Sequence, residues 1–91
     1  MRVFKYEIPQ VDDAKVRLPI GAQVLTVGQQ FDKLFLWALV DPGEKRTKRR
    51  TFRVAETDDE IADATELKFI GSVNLSGGLR VVHIFERTPE L

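Results

Sequence analysis

Six cations fall between residues 45 and 53 of this chain, Lys45, Arg46, Lys48, Arg49, Arg50 and Arg53, and six carboxylates follow between residues 56 and 66, Glu56, Asp58, Asp59, Glu60, Asp63 and Glu66. Ionic recognition is the chemistry such blocks can perform. The whole chain carries 14 basic and 14 acidic side chains, so a neutral total conceals two regions of opposite potential. The basic block could track a phosphate backbone and release its counterions, with Trp37 and Phe52 as the nearest aromatics for base stacking. Both of those rings, however, stand on strands at core parity. The acidic stretch ETDDEIADATE could mimic nucleic acid or grip a basic protein surface. It is not a calcium loop, because it lacks the central Gly and the alternating acidic spacing of an EF-hand.

Other reactive side chains form no recognisable constellation. His83 is the single histidine and there is no cysteine, so a transition-metal site of the usual kind cannot be assembled within one chain. As a general base it would need a neighbouring carboxylate. Its parity with Val81 and Phe85 instead suits a structural histidine held by a hydrogen bond. Ser72, Ser76, Gly77 and Gly78 do not make a nucleophile elbow or a phosphate loop, since both motifs must open a helix and this run lies between two strands. No pair of carboxylates is spaced to face across a cleft. The expectation is a protein that is not an enzyme and holds neither metal nor cofactor.

The elements that position these side chains are strands. Phe4, Tyr6 and Ile8 alternate with Val3, Lys5 and Glu7, and Ala14, Val16 and Leu18 alternate with Lys15 and Arg17, each a two-residue period with one buried face. Ala22 to Val27 follow as a strand closed by Gly28. Phe31 to Val40 is apolar on both parities apart from Asp32 and Lys33, which predicts a strand covered on both faces with Trp37 inside. Asp41-Pro42-Gly43 is a turn, and Arg50 to Ala55 is a strand with a cationic outer face. Thr57 with Glu60 three residues on reads as a capping box, predicting one short helical turn near residues 57–64. Leu67 to Leu75, with a bulge at Gly71, then pairs through Ser76-Gly77-Gly78 with Leu79 to Phe85. Residues 88–91 are expected to be a loose tail.

About seven short strands with turns every 8 to 12 residues predict an all-β fold, a single small antiparallel β-sandwich or barrel spanning residues 1–91. At 43% hydrophobic and 31% charged, the chain has the composition of an ordinary folded domain rather than a disordered one. The start, MRVFKYEIPQ, lacks the apolar core of a signal peptide, and the longest apolar run, Leu34 to Val40, is far short of the ~20 residues that span a bilayer. A soluble protein is expected, with no membrane partner.

Read in order, RVFKYEIP at 2–9, GAQVLTV at 21–27, LWALVDP at 36–42, FRV at 52–54 and ELKFIGSVNLSGGLRVVHIFE at 66–86 resemble a family of small uncharacterised proteins of tailed bacteriophages and prophages, with no established activity. The resemblance spans nearly the whole chain and implies the cytoplasm of a bacterial host. It supplies no functional residues. GEKRTKRRT at 43–51 is more basic than the resemblance leads one to expect, and small phage proteins of this kind often bind a host protein or a defence component.

These readings lead to a non-enzymatic protein that binds a host or phage protein, modulating host or defence functions, through its charged 44–66 segment. Lys45, Arg46, Lys48, Arg49 and Arg50 are expected to hold an acidic surface, with Asp58, Asp59, Glu60 and Asp63 as the opposite pole. The alternative is a nucleic-acid or nucleotide binder using the basic loop 45–53, and the third is a virion-assembly oligomer built by pairing of sheet edges. Whether the two charge blocks stand apart or neutralise each other separates these readings.

Overall fold

Alternation of apolar and polar side chains folds this chain into two facing antiparallel sheets, described for residues 1–89 in a computed structural model. The strands are β1 (Arg2–Glu7), β2 (Asp13–Pro19), β3 (Gln23–Gln30), β4 (Lys33–Val40), β5 (Thr47–Glu56), β6 (Leu67–Leu75) and β7 (Arg80–Arg87). One sheet has the order β1-β4-β3 and the other β2-β5-β7-β6, so the expected sandwich is the architecture observed.

The inner faces supply the core. Ala14, Val16 and Leu18 of β2, Phe52 and Val54 of β5, and Val82 and Ile84 of β7 meet Leu34, Leu36, Ala38 and Val40 of β4. The period of two places each set on one side, and no buried polar or charged residue interrupts it among the described residues. Phe52 is fully buried and is the largest side chain of the core.

Three strand expectations need correction. Gly28 does not end β3, which runs on to Gln30, because the Trp37 ring lies over the glycine and leaves no room for a side chain: a Cβ there would stand 3.2 Å from Trp37 Cζ3. Phe31 is not in β4 but is 97% exposed in the two-residue loop with Asp32, where both residues have positive φ, as a type I′ hairpin turn requires. Phe35, Trp37 and Leu39 are only half covered, since they lie on the outer face of the three-stranded sheet, against which no second layer packs among the described residues. A run that is apolar on both parities can therefore be an outward-facing row shielded by its neighbours.

The turns agree more closely with expectation. Asp41 accepts from the Gly43 N–H through its side chain and from the Glu44 N–H through its carbonyl. The register of β6 against β7 shifts between Phe69 and Gly71, which is the expected bulge. The acidic segment holds one short helical turn, but at Ala64–Glu66, and Thr57 does not cap it. Instead the Thr57 hydroxyl bonds His83, Asp58 takes a positive φ, and the Asp59 carboxylate accepts from the Glu56 N–H, folding residues 56–59 into a tight turn. At the chain end the Thr88 N–H donates to the Glu66 carbonyl, while residues 90–91 of the predicted tail lie outside the described residues.

Candidate functional site

Strand β5 carries Lys48, Arg49, Arg50 and Arg53 of the basic block, after Lys45 and Arg46 in the preceding loop, and its two-residue period sends neighbouring cations to opposite sides of the sheet. Arg49 and Arg53 face outward, while Lys48 and Arg50 lie at inner parity where the sandwich opens. Each cation therefore has its own electrostatic surroundings.

Arg53 and Arg50 are committed to the protein's own carboxylates. Arg53 pairs with Asp13 across β2 and makes two hydrogen bonds of 2.9 and 2.8 Å to Asp63. Asp63 is also bound by Arg87, whose other contact is Glu66. The hydrogen bonds from Arg53, and then those from Arg87, hold the Asp63 carboxyl well below the usual aspartate range, and the same contacts raise both guanidinium pKa values. Asp63 thereby pins the 57–66 loop to the outer face of the four-stranded sheet. Arg50 donates two hydrogen bonds to Glu86 and one, at 2.6 Å, to the Ala22 carbonyl.

Two further ions of the blocks are engaged, one locally and one across the sheet. Arg46 closes on Glu44, and this contact lowers the Glu44 pKa. Glu56 pairs with Arg80. The opposite blocks thus neutralise each other in part, through Arg53 and Asp63. Lys45, Lys48 and Arg49 make no ion pair among the described residues, and neither do Asp58, Asp59 and Glu60, although the Asp59 carboxylate serves its own turn.

The free cations do not stand alone. The register of β2 against β5 sets Arg17 directly opposite Arg49, with Lys15 in the next outward position beside Thr51. Arg17 and Lys15 bond the hydroxyls of Thr47 and Thr51, at 3.2 and 3.0 Å, rather than any carboxylate. Like charges facing each other across a ladder repel, and a bound anion would relieve that repulsion. The result is a cationic corner of Lys15, Arg17 and Arg49 on the outer face, with Lys48 turned to the other side of β5 at the sandwich mouth. The sequence marks Lys15 and Arg17 as exposed by their alternation with Ala14, Val16 and Leu18, but only the strand pairing brings them beside Arg49.

Beside this corner the sandwich mouth forms a cleft of about 540 Å³. Ile20 and Ala22 form part of its wall, Lys48 and Lys68 line it, and the Arg50–Glu86 pair lies within it. Such a volume suits a small ligand or one residue of a partner, and apolar walls with a few convergent charges are the usual make-up of a binding site. Lys68 and Glu86 were not singled out from the sequence, because their relation to Lys48 and Arg50 depends on β7 lying between β5 and β6.

His83 lies on the outer face between two hydroxyls, with Ser72 Oγ at 2.7 Å from Nδ1 and Thr57 Oγ1 at 3.0 Å from Nε2. Both ring nitrogens are occupied, and neither by a carboxylate. Among the described residues no group of three or more His, Cys, Asp or Glu is placed to hold a metal ion, and no helix is long and apolar enough to cross a membrane.

The chain belongs to a family described as a domain of unknown function (DUF7352), which matches residues 1–91. No curated protein and no solved structure matches it.

Proposed function

We propose that this protein works without chemistry of its own, as a binding protein that engages an acidic surface of a partner protein through the outward corner formed by Lys15, Arg17 and Arg49. The observation that carries this reading is the Arg17 to Arg49 juxtaposition, two guanidinium-bearing residues directly paired across the ladder, neither in an ion pair among the described residues. A sheet that only had to fold would be more stable with one of them neutral. Lys45 extends the same charge toward the Asp41 turn, Arg46 is exposed but already paired with Glu44, and Arg50 and Asp63 act within the fold and shape the site rather than touch the partner. The resemblance to tailed-phage and prophage proteins makes the partner a host or phage protein in the bacterial cytoplasm.

Charges at the rim of an interface govern association rate and specificity and are screened by salt. The test is a pull-down from bacterial lysate at low salt, with and without nuclease, comparing the native chain with an Arg17→Glu/Arg49→Glu variant. One protein recovered despite nuclease, released by salt and lost with the variant is the expected result. Unchanged recovery by the variant at low salt would sink the reading.

A second reading, a phosphorylated ligand in the cleft, draws on Lys48 and Lys68 lining the same cavity as Ile20 and Ala22. Thermal protection by a nucleoside triphosphate, abolished by Lys48→Glu with Lys68→Glu, would replace the first reading with this one.

A further inference from the structure

A sandwich of two open sheets has four edges, and three of them here are blunted. Strand β2 presents Lys15 and Arg17 and ends in Pro19. Strands β3 and β6 are each broken by a register shift, between Val24 and Thr26 and between Phe69 and Gly71. They also lie against each other at one side of the sandwich, where a Cβ on Gly71 would meet Val27 Cγ2 at 3.0 Å. Charges, prolines and bulges are the devices by which proteins prevent edge pairing.

Strand β1 carries Arg2, Lys5 and Glu7, with Pro9 two residues beyond its end, but it has no proline or bulge within it. Its register with β4 is unbroken from Arg2 to Glu7. The Ile8 N–H donates to the Leu34 carbonyl, so the even-numbered residues exchange hydrogen bonds with β4, and Val3, Lys5 and Glu7 direct their N–H and C=O groups away from the sheet. None of these outward groups has a partner among the described residues. Lys5 is the residue that should guard the edge. Its ammonium is instead drawn back across its own sheet, 4.6 Å from the centre of the Phe35 ring and 2.7 Å from Gln30 Oε1 on the far strand. Val3 and Phe4 are left 53% and 40% exposed on opposite faces of a straight, unpaired strand.

From this edge we infer that two copies of the chain associate through β1, joining their three-stranded sheets into one six-stranded antiparallel sheet about a two-fold axis. The free hydrogen-bonding groups require odd residues to pair with odd and even with even. Two registers satisfy this over the length of β1. One sets Lys5 against Lys5 and is repulsive. The other sets Phe4 against Phe4, Val3 against Lys5 and Arg2 against Tyr6, with no like charges directly opposite. It also brings each guanidinium of Arg2 to the aromatic ring of Tyr6 in the second copy. The dimer therefore adopts the Phe4-centred register, and the cationic corner on β2 and β5 lies in the other sheet.

Size-exclusion chromatography with light scattering on the full chain tests this, together with amide hydrogen exchange. The expected mass is twice that of the chain and is unchanged at high salt, with the Val3, Lys5 and Glu7 amides protected. Lys5→Pro is the decisive variant when compared with Lys5→Met: both lose the Lys5 contacts to Gln30 and Phe35, and only the proline also removes the N–H that points away from β4, at an edge position where proline is tolerated. Lys5→Pro should yield a monomer and expose the Val3 and Glu7 amides to exchange, whereas Lys5→Met should not. A single-chain mass at every concentration, unprotected odd-numbered amides in the native protein, or a dimer that survives Lys5→Pro would each overturn the inference.

Discussion

Arg50 and Glu86, 36 residues apart in the chain, face each other at the mouth of the sandwich with two parallel guanidinium–carboxylate hydrogen bonds, of 2.5 and 2.7 Å. Both side chains are about one-fifth exposed, at 22% and 16%. The third donor of the same guanidinium holds the Ala22 carbonyl, so one side chain ties β7 and the 20–22 loop to β5. Arg50, one of the five cations expected to hold an acidic surface, is thereby a structural clamp beside the cleft.

Breaking this clamp on one side leaves a mostly covered charge alone. Glu86→Gln should cost about 3 kcal/mol, the lower end of the range for buried pairs, while Arg50→Met with Glu86→Leu should recover much of the loss. Urea unfolding of the three proteins measures this. A single variant within about 0.5 kcal/mol of the native protein would show that the pair contributes little.

Asp63 makes the fold acid-sensitive. Its folded-state pKa is depressed by Arg53 and Arg87, so its stabilisation is complete above the unfolded aspartate value of about 3.9 and is lost as pH falls from there toward the lower folded value. Thermal melts should show a falling midpoint below about pH 4, and Asp63→Asn should lower the midpoint at neutral pH and flatten that acid dependence. An equally steep acid dependence in the variant would assign the effect to other carboxylates.

Two phenylalanines separate core from surface. Phe52 is fully buried, and Phe52→Ala should cost about 3–5 kcal/mol. Phe31 is 97% exposed in the β3–β4 turn, and Phe31→Ser should change stability by less than about 0.5 kcal/mol. Denaturant midpoints for both variants are the check.

The paired arginines of the corner should be mutually destabilising in the free protein. Arg49→Gln is expected to stabilise the fold by about 0.2–1 kcal/mol at low salt. The gain should shrink in 1 M salt, where charges are screened within about 3 Å. A loss of stability at low salt would mean that an internal carboxylate already compensates Arg49.

Periodicity located the strands and the inner faces of β2, β5 and β7. Ala14, Val16 and Leu18, Phe52 and Val54, and Val82 and Ile84 are buried as their alternation requires, because side chains on a pleated strand can face only two ways. Asp41-Pro42-Gly43 and Ser76-Gly77-Gly78 turn the chain where their backbone preferences dictate. Which charges remain free was not legible in this way. A contiguous basic block is divided between two faces by the same period of two, and only some of its cations then meet carboxylates brought in from elsewhere in the fold. Arg50 finds Glu86 and Arg53 finds Asp63, whereas Arg49 meets Arg17. Ionic partners are chosen by strand order and register, which depend on long-range pairing rather than on neighbours in the chain, and only the tertiary structure decided them.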